Sequence, residues 1–494
     1  MSLARVHARA LVGVEARPVS VEVDIAGGLP AFTLVGLPET VVRESRDRVR
    51  AALLNAGFDF PQRRITVSLA PADLPKEGGR FDLPIALGLL AASGQLPPDA
   101  LEHREFAGEL SLGGGLRAVP GAVPVALAAE RVGRTLVLPR GSSHEAALVP
   151  QADVRVADAL IDVVSWLRGV GELDAADVGE RVPPRCADLS DVRGQHHARR
   201  AMEIAAAGGH NVVLVGPPGS GKSMLASRLP GLLPPLDLDT ALASAAVQSV
   251  SPSGFDAGRW AVPPFRSPHH TVSGVALVGG GSHAAPGEVS LAHGGVLFLD
   301  ELAEFPRAVL DVLREPLETG VIHISRARRQ ATYPAAFQFV GAMNPCPCGY
   351  NGESIQPCRC TAEQVQRYQA RVSGPFLDRI DLHVTLQAVS YAGLRQQGEA
   401  ESSAVVAARV ATARTRQHAR QGSLNAHLGV AALDHHCGLR GEAATVFERA
   451  VAQLGLSLRS CHRVLRVART VADLAGDADI ATDHVGEALG FRSG

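Results

Sequence analysis

The sequence predicts an α/β fold spread over several domains, and three observations lead to this prediction. The chain of 494 residues has the length of roughly three ordinary domains. Short apolar runs, such as 19–25 and 65–69, alternate with segments of helical periodicity in its first third. Further on, the apolar run 212–215 leads through a glycine-rich loop into another helical pattern. Strands that alternate with helices in this way are typical of α/β proteins.

Composition and charge exclude several classes of protein. With 46% hydrophobic and 20% charged residues, the chain is an ordinary globular protein. No apolar run approaches the roughly 18 residues of a membrane helix. Arg5, His7 and Arg9 interrupt the N-terminus where a signal peptide would have its apolar region. We therefore expect a cytoplasmic protein with no membrane contact. Because the formal charge is only −2, a nucleic-acid surface would have to be a local patch.

Residues 1–170 are predicted to form a domain of their own. The predicted strands are 19–25, 32–35, 65–69 and 136–138, and the predicted helices are 40–56, 83–92 and 124–131. Three segments, 35–38, 70–78 and 108–112, resemble the amino-terminal domain of the magnesium-chelatase-like ATPases. That resemblance implies a ribosomal-protein-S5-like fold, similar to the proteolytic domain of Lon.

Lon-type proteolysis is not expected from this domain, since it needs a serine nucleophile and a lysine base. The matching segment 78–83 contains no serine, and 114–119 contains no lysine. We expect Lys76 to be a solvated loop charge rather than a ligand contact. Apolar periodicity then lapses over 171–187 into acidic and proline-containing sequence, which predicts a linker.

The glycine-rich loop matches a phosphate-binding P-loop, the start of the nucleotide site. Its residues are Gly216, Pro217, Pro218, Gly219, Ser220, Gly221, Lys222 and Ser223. Such glycines let backbone N–H groups turn toward phosphate oxygens at the start of a helix. Lys222 would bridge the β- and γ-phosphates, and the Ser223 hydroxyl would ligate Mg²⁺. The complete motif in a strand–loop–helix context predicts binding of ATP with Mg²⁺.

A second nucleotide motif predicts hydrolysis. The apolar run 296–299 ends in two carboxylates, Asp300 and Glu301. Asp300 would hold the Mg²⁺ shell, mostly through water, while Glu301 would orient and deprotonate the attacking water. Acidic pairs at strand ends are common, so this assignment depends on the P-loop upstream. The predicted strand 337–342 leads to Asn344, which matches sensor 1, a polar side chain near the γ-phosphate.

Two features lie between the P-loop and the acidic pair. His269 and His270 are adjacent, but no third metal ligand is evident, so we predict no metal there and leave their role open. The glycine-rich segment that follows them, with glycines at 279–281, resembles the helix-2 insertion of one AAA+ clade. In that clade the insertion projects into the central channel of the ring.

A basic hairpin is predicted next. The extended runs 321–325 and 331–334 flank Arg326, Arg328 and Arg329. In the magnesium-chelatase and minichromosome-maintenance clade, which the chain resembles, the corresponding pre-sensor-1 hairpin reaches into the pore. Guanidinium groups repeated around a ring would neutralise DNA phosphates without reading bases. The alternative is a solvated basic turn.

Four cysteines in the insertion 344–361 predict a metal site. They are Cys346, Cys348, Cys358 and Cys360. Four thiols match tetrahedral Zn²⁺ in number and softness, although the C-x-C spacing is less usual than C-x-x-C. We predict structural zinc, because four protein ligands leave no open position for water.

The last motifs concern contacts between subunits. The segment 373–382 matches the arginine-finger motif of the same clade, with Arg379 as the residue that reaches the γ-phosphate held by a neighbouring subunit. The alternative is a plain salt bridge from Arg379 to Asp378 or Asp381. A finger that acts on a neighbour requires an oligomer.

The end of the chain is predicted to be helical, over 403–418, 441–454, 460–475 and 482–489. By resemblance, the AAA+ core covers 188–386 and a helical lid covers 387–494. Arg459 falls where sensor 2 occurs in the family, and Arg463 is close enough to be the alternative.

Over essentially its whole length the sequence resembles the magnesium-chelatase-like AAA+ ATPases of the YifB/ComM family. The resemblance implies a hexameric, ATP-driven motor. For the ComM members it implies a helicase that drives DNA branch migration during natural transformation. Two alternatives stay open: a chelatase subunit that inserts Mg²⁺ into a porphyrin, and a remodelling factor that binds a protein through residues 1–170.

Overall fold

The amino-terminal part of the chain is built on a mixed sheet of eight strands. A computed structural model describes residues 2–36, 44–179, 186–281, 284–326, 329–352, 356–388 and 400–492. The first ten strands are β1 (Ser2–Val12), β2 (Glu15–Ala26), β3 (Ala31–Val35), β4 (Arg64–Ala70), β5 (Arg104–Phe106), β6 (Glu109–Leu110), β7 (Leu116–Arg117), β8 (Thr135–Pro139), β9 (Val154–Ala157) and β10 (Asp174–Ala175). The large sheet has the order β10-β9-β8-β5-β1-β2-β4-β3, while β6 and β7 pair separately. All four predicted strands are therefore present.

Helices cover this sheet and bury its apolar side chains. They are α1 (Ser45–Asn55), α2 (Asp82–Ala92), α3 (Ala122–Arg131), α4 (Ser143–Ala146) and α5 (Leu160–Leu167). Every residue of α2 is buried. Gly88 allows α2 to lie close to the sheet, because a Cβ at this position would be 2.6 Å from Val23 Cγ2. The predicted helix 40–56 is described from residue 44 onward.

Within the predicted linker 171–187, Asp174 and Ala175 pair with β9 at the edge of the sheet. The expectation for Lys76 is wrong. Lys76 was expected to be solvated, yet its exposed fraction is 0% and its ammonium donates a hydrogen bond to the Pro71 carbonyl. Burial lowers the pKa of Lys76. Lys76 therefore stabilises the conformation of its own loop.

A second sheet, of five parallel strands, forms the centre of the chain. Its elements begin with α6 (His196–Gly208), β11 (Val212–Val215), α7 (Lys222–Ala226), α8 (Leu238–Ser249), β12 (Phe265–Arg266), α9 (Gly274–Val278), β13 (Gly279–Gly280), β14 (Ala285–Pro286), α10 (Glu288–Leu291) and β15 (Val296–Leu299). They continue with α11 (Arg307–Val312), α12 (Pro316–Thr319), β16 (Val321–Arg326), β17 (Arg329–Pro334), β18 (Gln338–Met343), α13 (Ala362–Gln369), α14 (Gly374–Leu377) and β19 (Leu382–Thr385). The sheet order is β12-β15-β18-β11-β19.

The parallel sheet has two functionally different edges. At its carboxyl edge, β11 leads into the P-loop, β15 into Asp300, and β18 into Asn344. At the amino edge, the backbone N–H groups of Asp381 and Leu382 both donate to the Asn211 carbonyl, immediately before β19 and β11. Since ligands of open parallel sheets bind at the carboxyl edge, that edge is where a nucleotide is expected.

The carboxyl-terminal residues fold into helices that pack on the central sheet. They are α15 (Ser403–Gln421), α16 (Val430–His436), α17 (Gly441–Leu454), α18 (Leu458–Ala475) and α19 (Thr482–Gly490). Val464, Val467 and Val471 of α18 share one apolar cluster with Leu214 of β11. Of these helices, α16 was not predicted. Among the described residues, no helix combines the length and the apolar character needed to span a bilayer.

The amino-terminal part also contacts the central part directly. Val123 and Ala126 of α3 lie in one apolar cluster with Leu242 and Ala245 of α8. At the β1–β2 turn, a Cβ on Gly13 would be 3.0 Å from the Ala331 Cβ of β17. The turn of the first hairpin therefore rests on the hairpin formed by β16 and β17.

Candidate functional site

The P-loop conformation depends on its glycines. Gly219 and Gly221 have φ angles of 77° and 92°, in the left-handed region that favours glycine. Gly216 has a different constraint, because a Cβ there would lie 2.8 Å from the Leu386 carbonyl oxygen. Helix α7 starts at Lys222, so the loop ends at a helix N-terminus. This is the geometry in which backbone N–H groups bind phosphate.

Lys222 links the P-loop to the end of β18. Its ammonium donates to the carbonyls of Gly216 at 2.7 Å and Pro217 at 2.9 Å, and to Asn344 Oδ1 at 3.1 Å. Burial lowers the pKa of Lys222, and the carboxylate of Asp300 opposes that shift. The structure thus brings together the two side chains that the sequence assigned to the γ-phosphate.

The predicted Mg²⁺ ligands also lie together. The Ser223 hydroxyl donates to Asp300 Oδ2 at 2.6 Å, and the backbone N–H of Glu301 donates to Asp300 Oδ1 at 2.9 Å. A hydroxyl and a carboxylate are oxygen donors of the kind that Mg²⁺ prefers. The residues present therefore fit a nucleotide-bound Mg²⁺. Glu301 is 57% exposed and has a left-handed φ of 52°.

Arg379 lies at the opposite edge of the sheet from the P-loop. It precedes β19, and its backbone carbonyl accepts a hydrogen bond from Asn211 at the start of β11. Its guanidinium forms a salt bridge with Glu318 at 2.8 Å, so the observed partner is neither Asp378 nor Asp381. Arg379 is only 7% exposed. Burial lowers its pKa, and Glu318 opposes the shift.

Arg459 and Arg463, the two sensor-2 candidates, have different surroundings. Arg459 is about half exposed and lies 3.7 Å from Glu318, the same carboxylate that holds Arg379. Arg463 pairs with the buried carboxylate of Asp381. Burial would raise the pKa of Asp381, yet contacts with His210 and Arg463 outweigh it and hold that pKa well below its usual range. Arg463 is therefore engaged by a buried carboxylate, whereas Arg459 is the more exposed of the two candidates.

A cavity of about 1550 Å³ opens beside these arginines at the amino edge. Its lining includes Glu318, Asp381, Arg414, Arg459, Arg463 and Arg466. The cavity is large enough for a nucleotide-sized ligand, since ligand pockets are typically about 300 to 1,000 Å³. It does not contain the P-loop, so it is separate from this chain's own phosphate site.

The four cysteines of the insertion converge. Their ligand atoms all lie within 4.8 Å of one another. The Sγ–Sγ distances are 3.4 Å for Cys346–Cys348, 3.7 Å for Cys346–Cys358 and 3.6 Å for Cys348–Cys358. Sulfurs at about 2.3 Å from a tetrahedral Zn²⁺ are about 3.8 Å apart. The donor set therefore fits a thiolate-bound metal.

The basic hairpin is formed by β16 and β17. They pair antiparallel, with Arg326 opposite Arg329 at the end of the ladder. Arg328 lies outside the described residues. Tyr333 anchors the hairpin, because its hydroxyl donates to the Ala284 carbonyl at 2.8 Å next to the β13–β14 pair. The predicted hairpin is thus present, and it adjoins the glycine-rich insertion.

Three family models match successive parts of the chain. Subunit ChlI of Mg-chelatase matches residues 21–142, Magnesium chelatase, subunit ChlI, matches residues 188–394, and Magnesium chelatase, subunit ChlI C-terminal, matches residues 400–492.

Relatives align with the chain from end to end. It is 50% identical to Uncharacterized protein YifB of Salmonella typhimurium, over 100% of this chain and 97% of that protein. It is 49% identical to Competence protein ComM of Haemophilus influenzae, over 100% of this chain and 98% of the relative. Uncharacterized protein Rv2897c of Mycobacterium tuberculosis is 44% identical, with 100% and 99% covered. The chain belongs to the magnesium-chelatase-like YifB/ComM family.

Membership of the YifB/ComM family accounts for the nucleotide site. This AAA+ family implies an ATPase that uses ATP with Mg²⁺. The mixed α/β fold, with its parallel sheet and carboxyl-terminal helices, agrees with that membership.

Some contacts of this YifB/ComM-family site were not predicted from the sequence. Gln195 donates through Nε2 to the carbonyls of Ser220 at 3.2 Å and Gln387 at 2.8 Å, which ties the P-loop to the chain after β19. His270 Nδ1 lies 3.0 Å from Glu301 Oε2. Glu318 holds Arg379. His270 carried a sequence signal, its place in a histidine pair, but that signal did not identify its partner.

Proposed function

We propose that this protein is a ring-forming, ATP-hydrolysing motor that acts on DNA as a branch-migration helicase. The observation that carries the proposal is the separation of Arg379 from the P-loop, at opposite edges of one parallel sheet. Even a four-residue strand spans about 13 Å, so Arg379 serves a nucleotide held by another copy. Contacts between unlike edges repeat head to tail, and they close into a ring when the rotation between copies completes a full turn. The family resemblance implies that the ring is a hexamer.

Each copy supplies the groups that bind and hydrolyse ATP. Lys222 and the P-loop backbone hold the β- and γ-phosphates, while Ser223 and Asp300 hold Mg²⁺. Glu301 orients and deprotonates the attacking water, and Asn344 acts as sensor 1. The contacts among Lys222, Asn344, Ser223 and Asp300 support these roles. When bound, Mg²⁺ neutralises charge on the β- and γ-phosphates.

The neighbouring copy completes the site with arginines. Arg379 stabilises charge on the γ-phosphate in the transition state. Arg459 acts beside it, rather than on its own nucleotide, because both guanidinium groups approach Glu318. Arg459 and Glu318 also line the cavity at the amino edge, which is large enough for a nucleotide. We therefore assign the sensor-2 role to Arg459 in trans.

The proposed domain division follows the family. Residues 1–170 form a non-proteolytic, S5-like domain, and the strand at 174–175 adds to the edge of its sheet. Residues 188–386 form the AAA+ core, in which the glycine-rich segment is the helix-2 insertion and β16–β17 the pre-sensor-1 hairpin. Residues 387–494 form the lid.

DNA is the proposed substrate because of the hairpin and the relatives. Arg326, Arg328 and Arg329 put three basic residues at one turn in a chain whose net charge is −2. Competence protein ComM is 49% identical over the whole chain. We extend to this protein the role that the resemblance implies for the ComM members, the integration of single strands during natural transformation.

Replacing the three hairpin arginines with alanine tests the DNA assignment. We expect the Arg326/Arg328/Arg329→Ala variant to lose at least about tenfold in strand displacement from a mobile four-way junction. DNA-free ATP turnover should stay within about twofold, because the nucleotide site is elsewhere. The salt dependence of DNA binding should also become shallower, by about one unit of slope per lost phosphate contact. Strand displacement, turnover and binding are measured over a salt series.

A control removes equal charge elsewhere. Arg17, Arg46 and Arg155 are exposed, and each pairs with a nearby carboxylate in the amino-terminal part. Their triple alanine variant should displace strands normally.

If wild-type ATP turnover did not change when single-stranded or branched DNA was added at low salt, the helicase proposal would be rejected in favour of a protein-remodelling motor.

We also propose that the four cysteines hold structural Zn²⁺, which braces the nucleotide site. Asn344 lies two residues before Cys346, and the Pro345 carbonyl accepts a hydrogen bond from Gln369. In the same loop, Gly349 packs so closely that a Cβ would lie 2.5 Å from Pro218 Cδ. The cysteine loop therefore contacts the P-loop and carries sensor 1.

Two glycines of this loop form a matched test. Gly349 and Gly352 have φ angles of 86° and 85°, so alanine costs similar backbone strain at both. A Cβ on Gly352 meets nothing within 4 Å. We expect Gly349→Ala to weaken ATP-analogue binding about tenfold by overpacking against Pro218, and Gly352→Ala to leave it nearly unchanged. Titration calorimetry measures both affinities, and metal analysis should give about one zinc per chain in each. Equal ATP-analogue affinities for the two variants would contradict the proposal that the cysteine loop supports the P-loop.

A further inference from the structure

The loop that carries Arg379 is held between the central sheet and the carboxyl-terminal helices. On the sheet side, the Asn211 side chain donates to the Arg379 carbonyl at 3.4 Å, and the backbone N–H of Asn211 donates to Asp381 Oδ2 at 3.0 Å. On the helical side, Arg492, which follows α19, donates to the Ile380 carbonyl at 2.9 Å. The path of the loop is therefore fixed at three successive residues.

Asp381 is the charged contact between this loop and the helices. Its carboxylate is only 3% exposed and pairs through Oδ1 with the Arg463 guanidinium of α18. Near the other oxygen, His210 Nδ1 lies 3.6 Å away, and His210 Nε2 is 2.7 Å from the Thr470 hydroxyl of the same helix. A buried carboxylate that keeps its charge needs such partners, because an unpaired buried charge is costly. Asp381 therefore joins the loop to α18 both directly and through His210.

Helix α18 approaches Arg379 at a second point. Arg459 lies one turn before Arg463 on this helix, so the two side chains extend from the same face. Arg459 is 3.7 Å from Glu318, and Glu318 pairs with Arg379 at 2.8 Å. The two arginines proposed to act on a neighbour's nucleotide are thus connected through Glu318, while Arg463 and Asp381 connect the elements that carry them.

We propose that Asp381 is a positioning residue, which through its ion pair with Arg463 holds Arg379 in place for the nucleotide of a neighbouring copy. Arg459, on the same helix as Arg463, is held in the same arrangement. The inference rests on the proposed function, since both arginines act only across a contact between copies. Loss of the Asp381 charge releases the loop from α18, and it leaves the P-loop of the same chain intact because that loop lies at the other edge of the sheet.

The Asp381→Asn variant tests the charge of this residue. Asparagine keeps an oxygen that can accept from the Asn211 N–H, but it cannot form an ion pair. We expect turnover at saturating ATP to fall about tenfold or more, because misplacing a catalytic group by about 1 Å can cost about 100-fold. The KM for ATP and the affinity for a non-hydrolysable analogue should stay within about twofold. Wild-type turnover by Asp381→Asn would contradict the proposal.

The Arg463→Lys variant tests the same pair from the helix. Lysine keeps a positive charge that can approach the Asp381 carboxylate, although it lacks the guanidinium fork. Because only one guanidinium nitrogen of Arg463 donates to Asp381, this variant should retain at least about a third of wild-type turnover. Turnover as low as that of Asp381→Asn would mean that the ion pair is not what positions Arg379.

Glu203→Gln is the matched control for a general loosening of the helices. Glu203 is likewise buried, at 5% exposure, and it joins α6 to α15 through Arg409 at 2.5 Å. Neither Arg409 nor the other partner, Arg200, belongs to the loop that carries Arg379. Turnover by Glu203→Gln should therefore stay within about threefold of wild type. An equal loss in Glu203→Gln and Asp381→Asn would assign both effects to packing.

Mixed rings show on which side of the contact between copies Asp381 acts. Lys222→Ala supplies an intact Arg379, so its equal mixture with Asp381→Asn should recover ATP turnover toward about a quarter of wild type in head-to-tail rings. A mixture of Asp381→Asn with Arg379→Ala contains no properly held Arg379 and should turn over ATP no faster than Asp381→Asn alone. A general loss of structure would give no recovery with either variant.

The Lys222→Ala and Arg379→Ala mixture separates this proposal from the proposed function. If that mixture recovered turnover and neither Asp381→Asn mixture did, the role of Asp381 would be overturned while hydrolysis between copies would stand. If that mixture itself failed, the proposed function would be refuted. Native mass spectrometry checks assembly, and Arg463→Gln replaces Asp381→Asn if the latter forms no rings. Loss of assembly in both variants would show that the pair supports the fold rather than Arg379, and would overturn the proposal.

Discussion

Glu301→Gln is expected to bind ATP with near wild-type affinity and to lose about two to three orders of magnitude in ATP turnover. Positioned general bases contribute about 10² to 10⁴ in rate, and glutamine can neither accept the proton nor carry the charge. Binding survives because Lys222, Ser223 and Asp300 make their contacts without the Glu301 side chain. Steady-state phosphate release and equilibrium binding of a fluorescent ATP analogue measure the two quantities.

Glu304→Gln is the matched control. Glu304 is also partly exposed, follows β15 three residues after Glu301, and pairs with Arg371 at 2.8 Å. Exposed pairs of this kind contribute about 1 kcal/mol or less, so its turnover should stay close to wild type. Turnover by Glu301→Gln comparable with that of Glu304→Gln would refute the assigned base.

The Arg379→Ala variant should retain ATP binding and lose about 10³-fold or more in turnover. Arginine fingers contribute about 10³ to 10⁵ to catalysis. Because Arg379 lies at the amino edge of the sheet, its loss does not reach the P-loop of the same chain. The alanine variant removes one of two arginines beside Glu318, and that carboxylate keeps Arg459 at 3.7 Å and is about half exposed to solvent. The melting temperature should therefore change little.

The Arg379→Lys variant tests whether the guanidinium group itself is needed or only its positive charge. Lysine keeps the positive charge but lacks the planar, two-pronged guanidinium, so we expect turnover to remain at least about tenfold below wild type. Native mass spectrometry with a non-hydrolysable ATP analogue should show intact rings for both variants. Full turnover by Arg379→Lys would mean that Arg379 acts only as a local charge.

Much of the fold was predictable from local pattern. The run 212–215, the glycine-rich loop and the run 296–299 identified β11, the P-loop and β15. Strand β1 was missed because Arg5, His7 and Arg9 alternate with its buried alanines and Val6. One of these, Arg9, is itself buried against Glu105 at 2.5 Å, a partner 96 residues away that no local pattern reveals.

Other failures share this physical cause. Strand β10 has two residues, too few to show any periodicity, and it exists because β9 offers a free edge. Lys76 looks like a loop charge in sequence, and its burial depends on how the loop folds around the Pro71 carbonyl.

The candidate site was predictable residue by residue but not as an arrangement. The motifs identified Lys222, Asp300, Glu301 and Asn344, because each follows a recognisable strand. They gave no information on which edge of the sheet Arg379 occupies, since that depends on strand order. Glu318 had no sequence signal at all, because it is one acidic residue in a four-residue helix.

The claim that ATP is hydrolysed between two copies is tested most directly by mixing two inactive variants. Lys222→Ala lacks the P-loop cation but keeps Arg379, and Arg379→Ala has the reverse defect. In rings assembled at random from equal amounts, about a quarter of the interfaces join an intact P-loop to an intact Arg379, given head-to-tail contacts. We expect the mixture to recover measurable ATP turnover, up to about a quarter of wild type. Mixed rings that form, as shown by native mass spectrometry, and still hydrolyse no ATP would contradict the account.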